Sequence, residues 1–144
     1  MIALILLLSC VLSASACGTV EESDPEDWDE SARVALGDAS SQLSTVRLIL
    51  ETERRDDTWH GYAVVVLADA EKSAGKDADT VSALQAPPDR TKLSSKVSDL
   101  LTRASDLVQQ ARETVVAHHE VDQKLLQQLQ SLSDRLDTEE KSLR

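Results

Sequence analysis

Three histidines and two cysteines are the side chains of this chain whose chemistry goes beyond packing. His60 follows Arg54-Arg55-Asp56-Asp57, and His118-His119 runs into Glu120 and Asp122, so imidazole and carboxylate recur together twice. Such groups can hold a divalent metal, or change charge between about pH 5 and 8. The di-iron centre of some four-helix bundles needs inward Glu-x-x-His pairs. Asp57, Val115 and Val116 stand three residues before His60, His118 and His119, which excludes that centre. The three histidines therefore stand as candidates for a metal- or pH-responsive site. The plainer account is that they are turn residues, favoured near a helix C-terminus by the dipole.

Other catalytic patterns are missing. Glycine occurs only at 18, 37, 61 and 75, so no Gly-x-Gly loop can cradle a phosphate. No Gly-x-Ser-x-Gly nucleophile turn occurs either. No enzyme activity, cofactor or resident metal is expected.

The cysteines belong to another kind of chemistry. An apolar run from Ile2 to Leu8 continues through Val11 and Leu12 and ends in Ala14-Ser15-Ala16, just before Cys17. A membrane-spanning helix needs about 20 apolar residues, and this segment is shorter and carries Ser9, Ser13 and Ser15. It reads as an export signal over residues 1–16. Its removal takes Cys10 away and leaves Cys17 alone, unable to form an internal disulfide. Small residues before a cysteine, followed by an acidic tether and a Leu/Ala-rich helical domain, resemble the small membrane lipoproteins of bacteria. The resemblance implies a diacylglyceryl group on Cys17, and a lipid anchor at the outer face of the cell membrane. Two acyl chains give stable attachment, at about 0.8 kcal/mol per buried methylene. Ala14-Ser15-Ala16 also suits a soluble secreted protein, which is the alternative location.

The charge fits a lipid anchor better than a charge-driven one. The formal net charge is −11, and seven of the 26 acids lie between Glu21 and Glu30. Lys and Arg are scattered, with only Arg54-Arg55 adjacent, so no nucleic-acid surface is expected. An anionic bilayer would repel the tether over residues 17–26.

The elements that position these residues follow from helical spacing. A first helix is predicted over about 27–54, with Trp28, Ala32, Ala35, Leu36, Ala39, Leu43, Val46 and Leu50 on one stripe and Asp24 or Asp27 as cap. A second is predicted over 58–86, capped by Asp57 or Thr58, with Trp59, Tyr62, Ala63, Val66, Ala70 and Ala74 on its stripe. Gly75 is a point where it can stop, kink or continue at a cost of about 1 kcal/mol. Pro87-Pro88 breaks the chain, and a third helix follows over 88–118, with Leu93, Val97, Leu100, Leu101, Ala104, Leu107, Val108, Ala111 and Val115 inward. The fourth is predicted over 122–143, with Asp122 as cap and Val121 stapled onto Leu126.

The expected fold of residues 27–144 is thus all-α, an antiparallel up-down-up-down four-helix bundle. That topology brings His60, His118 and His119 to the end away from the membrane. A structural or interaction module with an unidentified protein partner is the leading expectation, and a metal- or pH-responsive module is the alternative. The Leu125-Leu129-Leu132-Leu136 seam could instead form a coiled coil between chains.

Overall fold

The computed structural model describes residues 24–143; the predicted signal, Cys17 and all of the tether before Asp24 lie outside them. Four helices make up the described chain: α1 (Pro25–Glu53), α2 (His60–Ala83), α3 (Thr91–Val116) and α4 (Gln123–Ser142). A 3₁₀ turn at Pro88–Arg90 precedes α3.

Asp24 caps α1, its carboxylate accepting from the Glu26 amide at 2.9 Å, and Pro25 takes the first helical position, where its missing N–H costs nothing. The helix therefore begins two residues before the predicted start at 27, taking Pro25 and Glu26 from the expected tether. All eight predicted stripe residues of α1 are buried, joined by Ser40 and Ile49. Asp122 caps α4 in the same way, accepting from Lys124 N at 3.0 Å, and Val121 and Leu126 are both buried beside it.

Helix α2 departs from expectation in three ways. It starts at His60 after Trp59, whose side chain makes no capping bond; Asp57, an expected cap, pairs with Arg55. It ends at Ala83 rather than 86, because Leu84 is already extended ahead of the prolines. Of the outcomes open at Gly75 it takes continuation, running through without a break. Of its predicted stripe Ala63, Ala70 and Ala74 are buried and Val66 is half-buried, with Leu67 and Val81 buried beside them, but Trp59 and Tyr62 are exposed, so the buried face is turned away from those two aromatics. Helix α3 begins at Thr91, not at 88, since Pro88–Arg90 form the 3₁₀ turn. Its predicted stripe is buried except for Leu93 and Leu107, which are half-buried.

One core joins the four helices. The closest pairings are α1 with α4 and α2 with α3, and α3 and α4 are the sparsest of the paired helices. Polar bonds mark which parts of α1 and α4 meet. Arg33 reaches Glu140 at 3.4 Å, Ser40 Oγ lies 2.8 Å from Ser133 Oγ, and Arg54 donates to Gln123 at 2.7 Å. The two serines are buried and small, which lets the backbones approach, and Ser40 also donates to Asp137. Near the start of α1, the Arg90 guanidinium donates to both Asp29 oxygens and fastens the α2–α3 connection. That pairing holds the Arg90 pKa above its ordinary value.

The leucines 125, 129, 132 and 136 are all buried within this core, so the seam proposed for contact between chains is covered inside one chain. Glu139, on the same side of α4, is also buried and is paired with Lys96 of α3. Among the described residues no helix is long and apolar enough to cross a membrane.

Candidate functional site

The ends of α1 and α3 are built alike. After α1, Asp56 takes a left-handed φ of 56°, its amide bonding Glu53 O at 3.1 Å while the Asp57 amide reaches Thr52 O at 3.0 Å. After α3, His118 has φ 54°, its amide bonding Val115 O at 2.9 Å while the His119 amide reaches Thr114 O at 2.9 Å. Both are Schellman closures, in which glycine is the usual left-handed residue. Here an aspartate and a histidine occupy that position. The predicted end of α3 at 118 is corrected to Val116, because the left-handed turn at His118 cannot continue a helix.

The turn at His118 sets its ring onto that of His60, at the start of α2. The ring centroids are 4.2 Å apart and the planes 19° from parallel. His60 Nδ1 lies 2.7 Å from Glu53 Oε1, at the end of α1. An ionised carboxylate only accepts, so the Nδ1 of His60 carries the proton in this contact. The other Glu53 oxygen is buried and unbonded. His119 is exposed and lines a shallow recess with Glu53, Arg54, Asp56, His118 and Glu120. Residues from α1, α2 and the α3–α4 connection thus converge, as the sequence implied.

The geometry suits proton exchange better than metal binding. Metal–imidazole bonds lie in the ring plane at about 2.0–2.1 Å. Two stacked rings 4.2 Å apart lie in separate, nearly parallel planes, so their nitrogens cannot both meet one ion without unstacking. Among the described residues no group of three His, Cys, Asp or Glu side chains is arranged to hold a metal. Cys17, the expected lipidation site, lies outside the described residues.

A second feature of this end was misjudged from sequence. Trp59 is 81% exposed, Tyr62 55% and Val65 59%. The Trp59 indole lies over Gly61, where an added Cβ would come within 3.2 Å of the ring. Tyr62 to Ala68 is apolar all round, so spacing alone could not tell which side of α2 would be buried. Leu67, from the same run, went inside. Trp28, by contrast, is fully buried, as its stripe predicted.

No known protein family matches this chain, and no curated protein or solved structure does either.

Proposed function

We propose that this chain is an exported lipoprotein, anchored through Cys17 at the outer face of the cell membrane, whose helical bundle presents an aromatic surface to a protein partner. The partner reading is carried by one observation. The chain has two Trp, one Tyr and no Phe, and two of these three aromatics lie exposed together at the start of α2. Trp and Tyr are the residues most enriched at the energetic centres of interfaces. With Val65 one turn on, and Asp57 and Asp69 at the flanks, the surface suits an apolar patch with a basic rim.

The fine topology belongs to the same proposal: up-down-up-down, with neighbours antiparallel. Its support is the sequence of α1–α4 bonds, Arg33 with Glu140, Ser40 with Ser133 and Arg54 with Gln123, together with the His60–His118 stack. The seven residues from Gly18 to Asp24 reach at most about 25 Å. The 29 residues of α1 add about 43 Å, which carries Trp59 and Tyr62 well clear of a bilayer.

Two measurements separate anchor from partner. Intact mass of the protein extracted from membranes reports a diacylglyceryl group on Cys17; a mature chain with unmodified Cys17 rejects the anchor. A photo-crosslinker at Val65 should capture one cell-envelope protein, and capture should be lost in Trp59→Ser/Tyr62→Ser with melting unchanged. No capture, or capture unaffected by the two substitutions, rejects the aromatic surface.

The His60–His118 stack supports a second reading, a proton-responsive closure. Protonating both rings places two positive charges about one ring-stacking distance apart, with Glu53 able to offset one of them. The charged groups around them are Glu53 and Arg54 at the end of α1, Asp56 in its turn, and His119 and Glu120 after α3. Hydrogen exchange of the 117–122 amides should accelerate on acidification from pH 8 to about pH 5, and His118→Asn should flatten that dependence. An identical profile in both proteins removes this reading.

A further inference from the structure

Most of the described arginines are paired. Arg33, Arg47, Arg55, Arg90 and Arg112 each meet a carboxylate, and Arg54 meets Gln123. Among the described residues two arginines have no ion pair or side-chain hydrogen bond, Arg103 and Arg135, and both line one recess between α3 and α4. Lys124, equally without an ion pair, extends the same wall. The carboxylate in the lining is Asp106. In a chain of net charge −11, these three exposed cations give one recess a locally positive lining, which attracts anions.

The recess also has an apolar part. Leu107 follows Arg103 by one turn of α3, and Leu132 precedes Arg135 by one turn of α4. Leu107 was expected in the core, yet it is only half-buried because α3 and α4 pack sparsely. The volume is about 450 Å³, within the roughly 300–1,000 Å³ of small-ligand sites. The Lys96–Glu139 pair bridges the two helices towards one end. Towards the other, a polar hollow sharing Lys124 and Gln128 is bordered by Glu120 and Asp122. An acidic helix about 10–12 Å across would have to displace the first and run onto the second.

We propose that this recess binds an anionic amphiphile, its carboxylate or phosphate head held by Arg103 and Arg135 and its apolar chain laid over Leu107 and Leu132. Planar guanidinium groups suit such heads because each can offer two parallel N–H donors. The proposal goes beyond the partner reading and stands whether or not Cys17 carries lipid.

The test is calorimetric titration of the full chain with dodecyl phosphate, dodecanoate, dodecanol and inorganic phosphate, all below micelle-forming concentrations. The two anionic amphiphiles should bind, and the tighter of them identifies the head group. Arg103→Gln and Arg135→Gln should each weaken binding by about tenfold, the size of one charge-assisted hydrogen bond. Both positions carry no internal bond, so melting should not move, and Lys92→Gln serves as the control. Equal binding of dodecanol, equal binding of inorganic phosphate, or unchanged affinity in the double variant each overturns the proposal. So does binding of a Glu-rich helical peptide, or self-association through this face, in place of the amphiphiles.

Discussion

At the residue scale, the left-handed positions carry a measurable cost. A side chain at such a φ costs about 1–2 kcal/mol, which glycine avoids. Asp56 makes no bond that would compensate at its side chain, so Asp56→Gly should raise stability by about 1 kcal/mol, read as a higher denaturant midpoint at unchanged slope. His118→Gly relieves the same strain but removes the ring from the stack with His60. A smaller gain than at Asp56 would show that the stack stabilises the fold. Gly75 is a simpler case: a Cβ there meets nothing within 4 Å, inside an unbroken helix. Gly75→Ala should stabilise by about 0.5–1 kcal/mol.

Asp77 offers a pH-dependent test at the same scale. Burial, with the Asp38 charge adding to it, raises its carboxyl pKa above the ordinary value, and one of its oxygens is buried without a partner. A raised folded pKa means that the folded state holds the proton more tightly than the unfolded chain. The stabilisation is fully present below the unfolded value and is lost as pH rises through the folded one. At neutral pH the ionised Asp77 therefore opposes folding. Asp77→Asn should melt higher than the parent at pH 7, and the gap should close near pH 3.

At the scale of the helix, burial separates residues that spacing treats alike. Leu100 is 2% exposed, whereas Leu107 opens onto the α3–α4 recess. Leu100→Ala should cost about 2–5 kcal/mol, and Leu107→Ala distinctly less, because solvent already reaches its site. Equal costs would mean that the recess is closed in solution. Trp28 anchors the first turn of α1 in the core, yet its indole N–H is buried without an acceptor. Trp28→Phe removes that unsatisfied donor while keeping most of the ring, so it should cost far less than Trp28→Ala, for which about 3–5 kcal/mol is expected.

At the scale of the molecule, the proposed topology makes a distance prediction. With α1 and α4 antiparallel, spin labels at Glu30 and Lys141 lie close together. A label at Gln127 is 14 residues nearer the start of α4, so the Glu30–Gln127 distance should be longer by about 20 Å. A parallel pairing reverses the order of the two distances. The single core also implies one cooperative unfolding transition, in which the histidine end and the Asp29–Arg90 end melt together. Separate transitions would make the α1–α4 and α2–α3 pairs independent units.

Much of the fold was legible because its signals are local. The stripes of α1 and α3 repeat every three or four residues, the Asp24 and Asp122 caps act on amides two residues away, and Pro87-Pro88 removes donors where it stands. Those interactions lie within a turn or two of chain, so residue order alone specifies them. The meeting of His60 with His118 was legible too, since it depends only on which turns share an end. Tertiary packing decided the rest. Helix α2 has apolar residues on every side, and only the shape of its neighbours selected Leu67 and the alanines for burial while leaving Trp59, Tyr62 and Val65 outside. The leucine seam of α4 fits an internal or an external partner equally well by spacing, and it is α1 and α3 that cover it. The unmatched pair Arg103 and Arg135 lies 32 positions apart in a sequence rich in acids. Nothing in residue order reveals that every other described arginine finds a partner, because those partners are chosen by proximity in space.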